Sequence, residues 1–226
     1  MEEDLSGEKL NKETQRYYTC TFTVETPYDM YGEYIVTIEA EDLSGEIGKM
    51  VESEYWFFNP EVQLDISGGL VFDTGRPGTS IYSGSVTLGN DADHQSGVLL
   101  DMFISGTDFY DSSNSGAMCP TSNQFELERF SYYAVNGAYS TRDDAQIGRT
   151  CDAEGYCKIN YGIGINDPFI FYNSHEIIQA LPQGPYWVAN ILAPGAEMTL
   201  EFRADIPEPC NGDFDQGDIY FWGQAI

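Results

Sequence analysis

The stretch GTSIYSGSVTLGND, residues 78–91, decides the fold class of this chain. Its apolar side chains Ile81, Val86 and Leu88 are separated by small or polar residues, and the stretch ends in a turn. Apolar and polar residues that alternate in this way place the apolar side chains on one face of a β-strand. The stretch therefore predicts a half-buried strand that leads into a turn.

The same pattern recurs through residues 61–226, with Gly, Asn, Asp, Pro and Ser in the gaps. The predicted strands lie within EVQLDIS (61–67), SGVLLDMFISGTDFYD (96–111), QFELERFSYYAV (124–135), KINYGIGI (158–165), PFIFYN (168–173), PYWVANIL (185–192), AEMTLEFRADI (196–206) and DIYFWGQAI (218–226). Nine or ten short strands spaced in this way predict an all-β domain, an antiparallel β-sandwich or jelly roll. The best helix candidate is SHEIIQAL (174–181), for which a single turn or a strand is an equal alternative.

Residues 1–59 form a separate block that ends at Asn59-Pro60. The sequence EDLSGE occurs at 3–8 and again at 41–46, each time as a turn before a polar-to-aromatic run. The second copy follows a strand in which Tyr34, Val36 and Ile38 alternate with mostly polar residues. No strand precedes the first copy, so we expect the chain to be a fragment that begins at a hairpin.

Two stretches resemble known families. GEYIVTIEAEDLSGEIG (32–48) resembles the end of immunoglobulin-like and PKD-type modules in the stalks of exported archaeal and bacterial surface proteins. SGSVTLGNDADHQSGVLLDMFISGTDFYD (83–111) is similar to camelysin-type sandwich domains of secreted fibre proteins. The resemblance implies a partial immunoglobulin-like module at 1–59, followed by a larger antiparallel β-sandwich at 61–226.

The charge balance excludes whole classes of partner. The chain has 37 acidic and 10 basic side chains, a formal net charge of −27. Nucleic acids and anionic membrane surfaces are excluded as partners, because both are bound through Lys and Arg. The acidity has three open interpretations: a salt-rich habitat, bound cations, or a surface that resists aggregation.

The cysteines predict export. Cys151 and Cys157 bracket the short turn CDAEGYC, which can hold them in disulfide geometry across a hairpin. We expect a second disulfide between Cys119 and Cys210, and Cys20 is then left free or paired outside these residues. No apolar run reaches the ~18 residues of a membrane helix, and the N-terminus has no leader pattern. An extracellular or cell-surface location, with no membrane insertion in this stretch, is therefore the prediction.

No catalytic constellation stands out. His94 and His175 have no Gly-x-Ser-x-Gly motif near them and are expected to be packed or surface histidines. The chain lacks a phosphate-binding loop with its Lys-Ser pair, and no Cys/His cluster has zinc-ligand spacing. With so many acids, carboxylate pairs carry no information. We therefore predict a non-enzymatic protein.

Two acidic loops are the candidate metal sites. The first offers Asn90, Asp91 and Asp93, and the second offers Asn211, Asp213, Asp215 and Asp218. Oxygen side chains two residues apart in a Gly-containing turn can converge on Ca²⁺, which takes six to eight oxygen ligands. The alternative is that both loops are Asx turns between strands with solvated charges. No cofactor is expected to be required, and Ca²⁺ is the candidate ion.

These observations predict a structural or interaction module: a stalk, sheath, adhesin or filament subunit. Its partners would be other protein subunits, bound by self-association or by strand addition to an unpaired edge in residues 1–59. The alternative is a jelly-roll carbohydrate-binding module, with a glycan stacked on an exposed strand aromatic such as Trp187. A viral or cellular coat subunit is a third candidate.

Overall fold

The computed structural model describes residues 32–58, 62–92, 96–144, 151–161 and 175–226, and these residues are almost entirely β. Thr141–Asp144 (α1) is the one α-helix among them. The strands are β1 Gly32–Glu41, β2 Ile47–Phe58, β3 Leu64–Gly68, β4 Ser80–Asn90, β5 Leu100–Gly106, β6 Phe109–Tyr110, β7 Gln124–Phe125, β8 Phe130–Asn136, β9 Tyr139–Ser140, β10 Cys157–Lys158, β11 His175–Glu176, β12 Pro182–Gln183, β13 Tyr186–Trp187, β14 Ile191–Leu192, β15 Glu197–Asp205 and β16 Ile219–Ala225.

The strands β1 and β2 form an antiparallel hairpin around the second EDLSGE copy. The Asp42 carboxylate accepts hydrogen bonds from the Ser44 amide and hydroxyl and from the Glu46 amide, which closes an Asx turn. Gly45 takes the left-handed backbone that this turn requires, with φ of 87°. The predicted turn is confirmed here, whereas the first EDLSGE copy and Cys20 lie outside the described residues.

A six-stranded antiparallel sheet has the strand order β10-β8-β15-β4-β3, with β9 also paired to β8. Its core face follows from the period-2 pattern of the sequence. Met198, Leu200, Phe202 and Ala204 alternate along β15 and are buried, while the residues between them are more exposed. The strand predicted from residues 78–91 is confirmed as β4, the neighbour of β15.

A second, smaller sheet is built around β5. The strand β16 runs along one edge of β5, while β11 and then β14 occupy the other edge. Asn190 fills the gap between β11 and β14. Its side-chain amide donates to the Met102 carbonyl at 2.6 Å and accepts from the Ile178 amide at 2.9 Å. One buried amide thus continues the hydrogen bonding of an interrupted strand.

Both sheets contribute to one hydrophobic core. Leu88 and Leu200 from the large sheet, and Leu100, Met102 and Ile104 from the small one, are inaccessible to solvent. The predicted all-β fold, a sandwich of antiparallel sheets, is therefore confirmed. Of the alternatives for 174–181, the strand is found at β11. The predicted domain boundary stays a prediction, because residues 59–61 are not described.

Candidate functional site

The loop between β15 and β16 carries the second set of predicted calcium ligands, and we call residues 210–218 the acidic loop. The predicted Cys119–Cys210 disulfide ties its start to the rest of the sandwich. Next to it, the Asn211 and Met118 backbones exchange two hydrogen bonds. At its far end, Gln216 and Tyr110 do the same at 2.7 and 3.0 Å. The acidic loop is therefore fixed at both ends.

The carboxylates of the acidic loop do not converge on one point. Asp215 accepts hydrogen bonds from the Ser112 amide and hydroxyl, at 2.9 and 2.7 Å, and these bonds lower its pKa. Asp218 accepts from the Tyr220 hydroxyl at 3.2 Å, while Asp213 and Asn211 are exposed. Two of these carboxylates therefore have hydrogen-bond donors within the protein, and Ca²⁺ binding at these residues stays an untested prediction.

Among the described residues, one group of three potential ligands places its donor atoms within 4.8 Å: Asp144, Cys151 and Cys157. It was not predicted as a metal site. The two sulfur atoms are bonded to each other in the predicted Cys151–Cys157 disulfide, which removes the thiolates that a metal would need.

Asn90, a predicted calcium ligand, has a different role. Its side chain is buried, and its amide nitrogen donates to the carbonyls of Val98 at 2.8 Å and Leu192 at 2.9 Å. Its amide oxygen accepts from the Ala92 amide at 3.2 Å. The prediction of a metal ligand does not fit this position, since Asn90 joins β4 to the other sheet. Asp91 is exposed, and Asp93 and His94 lie outside the described residues.

Asp111 is an organising residue that the sequence analysis missed. It is buried, and its carboxylate accepts hydrogen bonds from the Ser113 amide, from the Ser113 and Ser115 hydroxyls, and from the amides of Gly116 and Ala117. Burial acts to raise its pKa, but the bonds from Ala117, Ser113 and Ser115 outweigh burial and lower the pKa to about 2. The detectable signal was the string DSSNSG, in which an aspartate precedes several short hydroxyl side chains.

A cavity of about 650 Å³ opens between the acidic loop and residues 70–75. Its floor is aromatic: the rings of Phe109 and Phe125 are tilted against that of Phe130, at centroid distances of 4.6 and 4.8 Å. Phe72 and Phe214 extend this cluster towards the opening, 5.7 Å from Phe130 and 5.8 Å from Phe125 respectively. Asp73 and Asp213 also line the cavity and are exposed.

The outer face of the large sheet carries the Cys151–Cys157 loop. Arg203 on β15 forms ion pairs with Asp152 at 2.7 Å and Asp205 at 3.5 Å, and its guanidinium lies 4.4 Å from the centre of the Tyr156 ring. Burial, followed by a short hydrogen bond to Glu201, raises the pKa of the Tyr156 hydroxyl. These contacts fasten the disulfide loop to the sheet.

Among the described residues, β16 is an edge strand of the small sheet. Tyr220 and Trp222 share one face of β16, and Ile219 and Phe221 share the other. Backbone bonds join Asp218 to Thr107 and Ile226 to Leu99, so even-numbered residues bond to β5. The amides of Phe221, Gly223 and Ala225 therefore point the other way, towards an edge that no described strand occupies.

His175, expected to be a packed or surface histidine, and Trp187, the remaining predicted site residue, lie in different parts of the small sheet and its loops. His175 is half-buried on β11, where its Nε2 is 3.4 Å from the Tyr132 hydroxyl. Trp187, the predicted glycan-facing residue, is half-buried in the short hairpin of β12 and β13. Neither lines the cavity.

Comparison with known proteins assigns no family to this chain. No protein-family model, curated protein or solved structure matches the chain. No helix among the described residues is long and apolar enough to cross a membrane. The similarity to immunoglobulin-like and camelysin-type modules therefore remains a resemblance of short motifs.

Proposed function

We propose that the chain is a non-enzymatic structural module of an exported cell-surface protein, which associates with further copies through the open edge of β16. The observation that carries this proposal is the edge itself. Within the described residues, the amides of Phe221, Gly223 and Ala225 face an edge that no strand occupies, and such an edge is a template for strand addition from another chain. The two disulfides are compatible with an oxidising, extracellular setting.

The composition of β16 supports the same conclusion. Its sequence, IYFWGQA, contains no charged residue and no proline. Charged side chains and prolines are the usual means by which proteins keep an edge strand from pairing. An edge without them fits a surface that is covered in an assembly.

The hairpin of β1 and β2 is a suitable donor. Its strands pair with each other and with no other strand of the described chain. The apolar side chains of Ile35, Leu43 and Ile47 are exposed on it. An isolated two-stranded hairpin is marginally stable in water, so it gains from docking on a further surface. If the hairpin of one copy paired with β16 of the next, both the apolar side chains of the hairpin and the edge of β16 would be covered.

Charge sets the conditions for this association. Two copies of a chain with net charge −27 repel each other, and the repulsion between exposed charges is screened beyond ~8 Å at physiological ionic strength. Association is therefore expected to strengthen with salt. The three interpretations of the acidity remain open, and each is compatible with a salt-dependent assembly.

The experiment is sedimentation velocity over a range of protein concentrations, at low salt and at roughly 0.5 M NaCl. Ala225→Pro removes an amide that points to the open edge, and Gln224→Lys adds a charge at an exposed edge position. Both should shift the protein towards monomer, whereas Ala225→Val keeps the amide and should associate like the unmodified chain. A monomer under all conditions, or association unchanged by Ala225→Pro and Gln224→Lys, would overturn the proposal.

One observation favours the carbohydrate-binding alternative. Tyr82 is 49% exposed on the outer face of the large sheet, and its ring lies 5.9 Å from that of Tyr156, which in turn is 5.8 Å from Tyr133. Exposed aromatic rings on a sheet face can stack on sugar rings. A pull-down with insoluble polysaccharides tests this candidate. Retention that is lost in Tyr82→Ala or Trp187→Ala supports it, and absence of retention removes it.

A further inference from the structure

The aromatic cavity beside the acidic loop has the properties of a built binding site. We propose that it binds a small organic ammonium ion, such as an alkylated or quaternary amine. This goes beyond the proposed structural function, and it rests on the cavity's shape, its ring lining and its uncompensated charge.

The cavity wall is held in place before any ligand arrives. A methyl group on Gly212 would lie 2.6 Å from the Cα of Ala117, and one on Gly217 would lie 2.6 Å from the Phe109 ring. Both glycines therefore let the acidic loop approach the core closely, in addition to the disulfide and backbone bonds that fix its ends. A preformed wall lowers the ordering cost of binding. A volume of about 650 Å³ is in the usual range for small-molecule sites.

The lining favours a cation over a neutral ligand. Five phenylalanines line the cavity, and the faces of aromatic rings attract cations through their quadrupoles. Phe72 and Phe214 are half-buried, so parts of these rings remain accessible from the opening. An alkylated ammonium ion suits such a lining, because its methyl groups pack against rings while its charge is attracted to them.

The charge at the opening points in the same direction. Asp73 and Asp213 line the cavity, and within the described chain neither takes part in a side-chain hydrogen bond or an ion pair. The lining contains no Lys or Arg that could neutralise them. Asp215 differs, because Ser112 already occupies its oxygens. Two carboxylates beside an aromatic floor therefore select for an organic cation.

A metal ion fits this lining poorly. Ca²⁺ takes six to eight oxygen ligands, whereas the floor of the cavity is made of aromatic rings. A neutral apolar ligand would fill the floor but leave the carboxylates without a partner. Choline and its neutral isostere 3,3-dimethylbutan-1-ol have the same shape and differ in charge, so they form a matched pair of probes.

The test is titration calorimetry with both probes at fixed ionic strength, supported by ligand-observed NMR for weak binding. Choline should bind at least about tenfold more tightly than the alcohol, a difference of about 1.4 kcal/mol. Asp213→Asn and Asp73→Asn should weaken choline binding and leave the alcohol unaffected. Asp218→Asn is the matched control, because Asp218 belongs to the same loop but does not line the cavity.

Phe214→Leu separates ring from shape, since leucine keeps the side chain apolar while removing the ring face. It should weaken choline binding more than alcohol binding. Thermal denaturation of each variant checks that it is folded, and the exposed aspartate variants carry the test if Phe214→Leu does not fold. Three results would overturn the proposal: equal binding of the two probes, equal effects of Asp213→Asn and Asp218→Asn, or no choline binding. No binding means no signal at about 10 mM choline, which corresponds to a binding free energy weaker than about −3 kcal/mol.

Discussion

Removal of the Asn90 side chain should destabilise the sandwich strongly, because its amide joins β4 to the carbonyl of Val98 and to that of Leu192 in β14. Asn90→Ala abolishes three hydrogen bonds and leaves two buried carbonyls and the Ala92 amide without that partner. Each buried group left unsatisfied costs about 1–3 kcal/mol. Since some relaxation is expected, we predict a total loss of about 3–5 kcal/mol.

This loss is large enough to measure in two independent ways. For a chain of this size each kcal/mol lowers the Tm by about 2–4 °C, so a loss of about 4 kcal/mol corresponds to roughly 8–16 °C. Urea denaturation should give the same free energy of unfolding with an unchanged m value. The control is Asp91→Asn, a neighbouring exposed residue whose replacement should change stability by less than about 0.5 kcal/mol.

Asn90→Asp distinguishes a hydrogen-bonding role from a calcium-binding one. A carboxylate has the same shape, but it would face two carbonyl oxygens and donate to neither of them. We therefore expect a loss at least as large as in Asn90→Ala at neutral pH, relieved in part as the pH falls and the buried carboxyl, whose pKa is raised by burial, becomes protonated. Stability of Asn90→Ala within about 1 kcal/mol of the unmodified chain, or a calcium-dependent gain in Asn90→Asp, would refute the reasoning.

Three further predictions concern the disulfides, the ion-paired Arg203 and a buried acid. Replacing the Cys119–Cys210 pair by alanines should lower the free energy of unfolding, measured by urea denaturation, by about 4–5 kcal/mol, and replacing the Cys151–Cys157 pair should lower it by about 2 kcal/mol. The difference is expected because the two disulfides close loops of 91 and 6 residues. Equal losses would contradict the chain-entropy account. Arg203→Met should lower the free energy of unfolding by about 1–3 kcal/mol and make the Cys151–Cys157 loop more sensitive to proteolysis. An unchanged proteolysis rate would show that the ion pairs of Arg203 do not hold this loop on the sheet. Burial raises the pKa of Asp101, although the hydrogen bond from Asn190 opposes this effect. The stabilising contribution of the protonated Asp101 is therefore present below the unfolded pKa of about 3.9 and is lost as the pH rises through the folded pKa. Asp101→Asn should raise the Tm at pH 7 and leave it unchanged at about pH 3, and a lower Tm at pH 7 would contradict this reasoning.

The strands were predictable because their signal is local. In β15, apolar side chains recur at every second position and are the buried ones, so the sequence alone indicates which face of the strand lies in the core. The Cys151–Cys157 disulfide was predictable for the same reason, since the two cysteines lie six residues apart around a turn.

The role of Asn90 was not predictable, because one of its partners, Leu192, lies 102 residues away along the chain. An asparagine in an acidic turn has the same local sequence whether it binds an ion or crosses to another sheet. The cavity is a similar case, since its phenylalanines come from separate segments that only the fold brings together. Asp111 could have been found from the hydroxyl residues that follow it, but its burial could not.

The way in which the edges of the sheets differ bears on the proposed assembly. The edge strand β3 carries Asp65, and the two-residue edge strand β10 carries Lys158. Short length and charged side chains are both devices that discourage pairing with another chain. Among the described edges of the two sheets, β16 combines the length of a full strand with the absence of any charge. The chain places an acid or base at roughly one position in five, yet β16 is uncharged, which fits the proposal that strand addition occurs there. Association through β16 and general repulsion elsewhere would then act together, because the same acidity that keeps other surfaces apart would direct neighbouring copies to this one edge.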